Sequence, residues 1–259
     1  MKRTGNPSEV RYCCPWCGDT KYHLYLNTKY HVFFCFRCGS KGTETKLFQK
    51  LKLATVPEVV EQKPRKREKP ELIDIDGKGL LQMVAKRYWL KRGLTLQEMY
   101  DYDVKINPRR VSLVIPVKDE NGIHVYNVER LLLDSERKYY NEPGAKIHEY
   151  LFNLDKAKVF DRIFLVEGIF DAISIGKQGV AILGKYLSEK GLEKLRSLGF
   201  RKISVLLDSD AAPEALVLWN RLLPFFDTEV LDISSTGYKD ISEFRQKEGL
   251  CRMKEWLKL

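Results

Sequence analysis

Residues 161–259 alternate between two kinds of segment. RIFLVE, VAIL, KISVLL and TEVLDI are short, β-branched apolar runs, and stretches of helical character such as LSEKGLEKLRSL and PEALVLWNRLL lie between or after them. A strand that is apolar on both faces has to be covered on both, so this pattern predicts a parallel sheet with helices on each side. Residues 76–160 read differently. GLLQMVAKRYWLKR (79–92) places apolar residues at helical spacing, and Thr95 followed by Glu98 is a capping box opening a second helix. VSLVIPV (111–117) and IHVYNVERLLL (123–133) flank Asp119-Glu-Asn-Gly122, which predicts a β-hairpin. Residues 54–75 carry three prolines and dense charge, a linker composition. The layout expected is a cysteine-rich module over 1–53, a charged linker over 54–75, a mixed basic segment over 76–160 and an α/β segment over 161–259.

With 259 residues, 44% hydrophobic and 31% charged, the chain can bury a sizeable core without disulfide staples. No apolar run approaches the roughly 18 residues of a membrane span, and MKRTGNPSEV has no secretory apolar region. The expectation is a cytoplasmic protein with no membrane partner. The net charge of +10 is unevenly spread. Residues 1–50 hold nine basic and three acidic side chains, whereas residues 161–259 balance at fifteen each. A polyanionic partner near the amino terminus fits this surplus, as does a general solubility charge.

Five of the six cysteines fall between residues 13 and 38. Cys14-Pro-Trp-Cys17-Gly18 and Cys35-Phe-Arg-Cys38-Gly39 form two C-x-x-C-G knuckles separated by 17 residues. Two residues between thiolates let both sulfurs reach one tetrahedral Zn²⁺, and the glycine permits the turn beneath it. Cys13 is one residue too far from Cys17, and Cys251 reads as a buried or inert thiol. His23 and His31 lie between the knuckles as structural or nucleic-acid contacts. Aromatic residues here interleave with Lys21, Lys29, Arg37 and Lys41, a mixture suited to stacking bases and meeting phosphates. About half of these rings are needed instead for packing a module this small.

The apolar runs of the last block end in acids. RIFLV leads into Glu167-Gly168-Ile-Phe-Asp171-Ala; KISVLL leads into Asp208-Ser209-Asp210; TEVLDI is followed by a loop and Lys239-Asp240. Ligands of open α/β sheets bind at the carboxyl ends of the strands. If the chain stays extended past KISVLL, Asp208 and Asp210 point to one side and face the crevice of Glu167. Asp171 reads as a helix-start residue. Each acid alone is commonly just solvated, but converging carboxylates repel unless a cation lies among them, and oxygen ligands suit Mg²⁺. Gly179-Val-Ala-Ile-Leu-Gly184-Lys185-Tyr186 nearly matches a P-loop. Tyr186 stands where a hydroxyl should hold Mg²⁺ and VAIL reads as a strand, so an ATPase is rejected.

Taken in order, the cysteine knuckles, charged linker, basic segment, EGxxDA (167–172), DxD (208–210) and KD (239–240) resemble the DnaG-type primases of bacteria and their phages. In look they approach the primase half of a bifunctional phage primase-helicase. The EGxxD and DxD parts resemble the TOPRIM signature, and the likeness spans roughly residues 10–250. It implies a mixed α/β fold: an amino-terminal zinc ribbon, a linker, and a DnaG-type RNA polymerase core made of a mixed α+β subdomain and a TOPRIM parallel-sheet α/β subdomain. The implied activity is template-directed synthesis of RNA primers on single-stranded DNA, from ribonucleoside triphosphates, for DNA replication.

By that resemblance Cys14, Cys17, Cys35 and Cys38 hold one structural zinc. Glu167, Asp208 and Asp210 are catalytic and, with Asp240, bind Mg²⁺ or Mn²⁺. Arg92-Gly93-Leu-Thr resembles the family's helix turn, Glu129-Arg130 occupies the place of its Gly-Arg strand, and Lys138-Tyr139-Tyr140-Asn141 resembles its basic loop. Arg130, Lys138, Tyr139, Lys185 and Lys239 are expected on nucleotide or primer phosphates. Trp16, Lys29, His31, Phe34 and Arg37 are expected on template DNA. Only a terminal helix follows the TOPRIM block, so a replicative helicase is expected in trans. The alternatives weighed are a zinc/TOPRIM recombination-mediator clamp and a TOPRIM nuclease.

Overall fold

The computed structural model describes residues 2–3, 9–28, 31–52, 70–132, 138–184 and 186–259. The chain divides into two compact units, 1–68 and 69–259. The basic run 63–69 and most of the expected linker lie outside the described residues.

The first unit is an antiparallel sheet of β1 (Lys2–Arg3), β2 (Glu9–Tyr12), β3 (Leu24–Asn27), β4 (Val32–Cys35) and β5 (Lys41–Thr43) in sequential order, followed by α1 (Glu44–Leu51). Period-2 alternation divides the sheet. Leu24, Leu26, Phe33 and Cys35 point to one face and are buried with Leu47 and Phe48 of α1, while Val32 and Phe34 point to the other and are exposed. Thr43 caps α1 by accepting from the Lys46 amide.

The second unit opens with α2 (Leu80–Lys91) and α3 (Leu96–Asp101). A meander follows: β6 (Lys105–Asn107), β7 (Ser112–Lys118), β8 (His124–Leu131) and β9 (Tyr139–Asn141). The β7–β8 hairpin turns where Asp119 Oδ1 accepts from the amides of Asn121 and Ile123, with Gly122 at φ +83°. After α4 (Leu154–Ala157) come β10 (Arg162–Val166), α5 (Ile169–Ile175), β11 (Gly179–Ala181), α6 (Glu189–Leu198), β12 (Lys202–Val205), α7 (Ala212–Leu222), β13 (Asp227–Val230) and α8 (Ile241–Leu257). Their strands form a parallel sheet in the order β11-β10-β12-β13.

Strand β10 has apolar cover on both faces, as its continuous pattern requires. Ile163 and Leu165 pack with α6 and α7 residues such as Leu195 and Leu218. Phe164 and Val166 pack in the other cluster with Phe170, Phe244, Trp89 and the hairpin residues Leu113 and Ile115. The segments 76–160 and 161–259 therefore share a core. Two expectations need correcting. Ile73 and Ile75, assigned to the linker, belong to the second unit: Ile73 pairs with Ile106 and Ile75 is buried, because apolar residues alternate with Asp74 and Asp76. Cys251 is exposed rather than buried, since it lies on an outer face of α8.

One buried cation ties the helices together. Arg245 of α8, 1% exposed, makes a two-pronged pair with Glu98: Nη1 to Oε1 at 2.7 Å and Nη2 to Oε2 at 2.8 Å. It also donates to the carbonyls of Ser174 (2.8 Å) and Gly93 (3.1 Å). Glu98 meanwhile closes the Thr95 capping box of α3. Gly93 has φ +73°, and a Cβ there would stand 2.9 Å from Gln246 Cα, so the α2–α3 turn is pressed onto the α8 backbone. Arg245→Ala should cost about 3–5 kcal/mol, because it leaves the Glu98 carboxylate and two carbonyls without their partner. Arg245→Lys should recover only part of that, one ammonium being unable to replace the planar fork. Urea unfolding followed by circular dichroism measures both.

Candidate functional site

In the first unit the cysteine knuckles converge. The Sγ atoms of Cys14, Cys17, Cys35 and Cys38 all lie within 4.8 Å of one another, and Cys14 and Cys38 are 3.7 Å apart. A tetrahedral zinc with metal–sulfur bonds of about 2.3 Å has sulfur edges of about 3.8 Å, so these residues fit the ion. Each knuckle ends in a left-handed glycine, Gly18 at φ +62° and Gly39 at φ +73°. The second knuckle closes through the Gly39 amide, which donates to the Cys35 carbonyl at 2.9 Å. The Cys38 thiol is held down to about 6 by the Ser40 hydroxyl and amide, while burial pushes the Cys14 thiol up to about 12. A bound cation would favour the thiolate form at both. Cys13 stands outside this group.

The residues expected on template DNA are spread over the sheet. Trp16 turns toward the core and stacks on Phe33 with centroids 4.9 Å apart. His31 is tied to Glu44, Nδ1 to Oε2 at 2.5 Å. Phe34 and Arg37 are exposed, and Lys29 lies outside the described residues. The open face centres instead on Tyr25, Phe34 and Phe36, with Phe36 set edge-on at 5.0 Å to both neighbours and the Arg11 guanidinium 4.3 Å from the Tyr25 ring. Arg11 was missed, although its place opposite Tyr25 follows from the strand pairing.

In the second unit the acids gather at the carboxyl end of the parallel sheet. Glu167 follows β10, Asp208 follows β12, and Asp240 caps α8 by accepting from the Glu243 amide at 2.7 Å. The path after β12 does not stay extended as expected. The Ala211 amide closes a turn onto the Asp208 carbonyl at 2.9 Å, and the Ser209 amide bonds the Lys239 carbonyl at 2.8 Å. Asp208 is half-buried and Asp210 exposed in that turn. Lys239 Nζ lies 3.0 Å from Asp208 Oδ2, and that carboxylate raises the ammonium's pKa.

Asp171 is the residue that sequence reasoning passed over. It is in the first turn of α5 and looks like an ordinary helix-start acid. Its carboxyl occupies the space where a Cβ on Gly168 would stand, Oδ2 only 2.6 Å away, which explains the glycine. Burial raises the Asp171 pKa well above the usual range, and Asp240 and Asp208 raise it further. Burial likewise raises Asp240, with Asp208 adding to it. The carboxylates feel one another, yet among the described residues no three of them converge as tightly as the four sulfurs. An all-oxygen set under mutual repulsion fits a hard divalent cation such as Mg²⁺.

Basic and aromatic groups border these acids. Arg92 and Arg130 both donate Nε to the Tyr88 hydroxyl, at 2.9 and 2.7 Å. The Arg92 guanidinium lies 4.3 Å from the Phe170 ring, and that of Arg130 lies 4.8 Å from the Tyr139 ring. Desolvation raises the Tyr139 hydroxyl; Arg130 and Arg92 oppose this, and Asp171 and Tyr88 add to it. Alternation along β8 sends Arg130 to this side and Glu129 to the other. There Glu129 is buried, accepting from Asn107 (3.1 Å), Arg110 (2.5 Å) and Ser112 (2.6 Å). Lys138 is exposed, and Lys185 lies outside the described residues.

The chain is similar to bacterial DNA primases in sequence and in fold. A DNA primase of Thermotoga maritima is 24% identical over 97% of the chain and 56% of its own length. One of Deinococcus radiodurans is 32% identical over 52% of the chain and 26% of its own length. The chain thus spans little more than half of the first relative and a smaller share of the second. The crystal structure of the zinc-binding and RNA polymerase domains of the Aquifex aeolicus primase matches 99% of the chain and 79% of that chain, with a TM-score of 0.54 and 20% identity. A DnaG primase catalytic domain bound to single-stranded DNA matches 70% of the chain and 73% of that chain, with a TM-score of 0.57 and 18% identity. No protein-family model matches the chain.

Two outcomes follow from the two centres. Zinc analysis should find about one ion per chain, lost in Cys35→Ser and released by chelator more readily as pH falls, because bound thiolates must be deprotonated. Limited proteolysis should then cut within the first unit while sparing the second. Asp171→Asn should raise the melting temperature at pH 7. The Asp171 folded-state pKa lies above its unfolded value, so its charge is a cost above the folded pKa and none below the unfolded one. The gain should shrink as pH falls toward 4, which thermal melts at several pH values measure.

Proposed function

We propose that the chain is a DNA primase, making RNA primers on single-stranded DNA by metal-dependent nucleotidyl transfer. The observation that carries this reading is the cleft of the second unit, where strand-end acids adjoin two guanidiniums that make no ion pair among the described residues. That is the charge arrangement needed to hold a triphosphate beside divalent metal. Sequence and fold similarity to bacterial primases supports it, as does the single-stranded DNA bound to a DnaG catalytic domain of the same fold.

Glu167, Asp208, Asp210 and Asp240, with Asp171, would hold Mg²⁺ or Mn²⁺. The bound ions would supply Lewis-acid activation of the primer 3′-hydroxyl and charge for the leaving pyrophosphate. Arg92, Arg130, Lys138 and Tyr139 orient the phosphates, and Lys239 reports the charge of Asp208 until substrate and metal enter. The zinc ribbon presents Tyr25, Phe34 and Phe36 for stacking by template bases, with Arg11 and Arg37 for phosphates. Ribonucleoside triphosphates are the substrates, and a replicative helicase is the partner. No helix among the described residues is long and apolar enough to cross a membrane.

Incubating the protein with ribonucleotides, Mg²⁺ or Mn²⁺ and a library of single-stranded templates should yield short RNA products. Asp208→Asn and Glu167→Gln should lower kcat by about 10²–10³-fold with melting temperatures retained. A zinc-loaded protein that makes no RNA on any template would sink the proposal.

A further inference from the structure

Two cations share one neutral atom in this cleft. A phenol oxygen has two acceptor positions and one proton. At Tyr88 both acceptor positions are filled, by Arg92 Nε at 2.9 Å and Arg130 Nε at 2.7 Å. Its own proton has no acceptor among the described residues. Because each arginine is pinned through Nε, its paired terminal nitrogens remain for bidentate contact with an oxyanion. Ring faces restrict the guanidiniums further, Phe170 on one and Tyr139 on the other. Tyr88 is itself held, its ring edge-on to Phe170 with centroids 6.2 Å apart.

Like charges brought this close repel, and among the described residues neither guanidinium has a carboxylate at ion-pair distance. Asp171 is the acid that registers Arg92. We propose that Tyr88 is a positioning residue: its hydroxyl brackets Arg92 and Arg130 side by side, with their terminal nitrogens turned toward the triphosphate of the incoming nucleotide. This rests on the polymerase reading of the cleft. The bracket prepays the ordering of two long side chains that a phosphate chain would otherwise have to arrange on binding. It belongs to substrate binding more than to the bond-forming step, since the hydroxyl acts through the arginines.

Tyr88→Phe in the full chain tests this, because the ring and its packing on Phe170 remain while the shared acceptor is lost. KM for the ribonucleotide should rise about tenfold and kcat stay within about twofold. Inhibition by inorganic tripolyphosphate should weaken by the same factor. In nitrogen–proton NMR spectra, two arginine Nε–H signals shielded from exchange in the wild type should join those of exposed arginines. Tyr88→Gln, whose carbonyl offers two lone pairs, should recover part of the affinity. Unchanged KM, tripolyphosphate inhibition and Nε–H exchange in a folded Tyr88→Phe would overturn the bracket while leaving the polymerase reading intact. A wild type that makes no primer on any template, yet binds tripolyphosphate in calorimetry about tenfold more tightly than Tyr88→Phe, would uphold the bracket and overturn the polymerase. If Tyr88→Phe fails to fold, wild-type Nε–H signals that exchange as fast as those of exposed arginines would still reject the bracket.

Discussion

The buried guanidinium of Arg245 decides which parts of the second unit face each other. From α8 it reaches Glu98 at the start of α3, the Gly93 carbonyl in the α2–α3 turn and the Ser174 carbonyl in α5. Those three places carry, within a few residues, Arg92 on one side and Asp171 on the other. A charge removed from water must keep every partner it has, so the geometry is all-or-none. The acidic strand ends and the basic turn are thereby held in register by a guanidinium that contacts the turn at the Gly93 carbonyl and none of the strand-end acids.

The cleft so formed gathers charges that repel within each cluster. Asp171 is half-buried and feels the charges of Asp240 and Asp208, and Arg92 and Arg130 converge on one hydroxyl. Neither arrangement favours folding, and both are supported by apolar packing of Trp89, Phe170 and Phe244 behind them. Protein sites that bind polyanions with metals tolerate such a cost because the ligands supply the missing opposite charge. Lys239 on Asp208 compensates only in part, from the solvent side.

Much of this was legible from residue order. The parallel sheet followed from continuous apolar runs, the hairpin from Asp119–Gly122, and the metal knuckles from paired spacing with trailing glycines. What remained hidden depended on tertiary proximity. Asp171 has the local signature of a helix-start acid, and only the space left by Gly168 shows that its carboxyl turns inward. Tyr88 reads as one more apolar position of α2, because nothing local reveals that Arg130, far along the chain, joins the neighbouring Arg92 at its hydroxyl. Asp208-Ser209-Asp210 misled in the opposite direction. Period-2 reasoning assumed a strand that had ended at Val205; the chain instead turns onto Ala211, leaving Asp208 half-buried and Asp210 exposed. Ile73 and Ile75 were lost to the proline and charge density around them, although their alternation with Asp74 and Asp76 carried the strand signal.

The ribbon shows the same economy on a smaller scale. Its sheet has few apolar residues to give to a core, so one face is closed by Leu24, Leu26, Phe33 and the α1 residues and finished by the sulfur cluster. Trp16 is drawn into that closure by Phe33, which removes it from the surface where composition alone had placed it. Alternation then leaves the opposite face its own rings, Tyr25 and Phe34, with Phe36 beside them, stabilised against one another rather than buried. Because Cys35 belongs to the sulfur cluster and pairs with Leu24 of β3, the ordering of that outer face is linked to the knuckles. The chemistry of the knuckles and the shape of the open surface are therefore one constraint read from two sides of a single sheet.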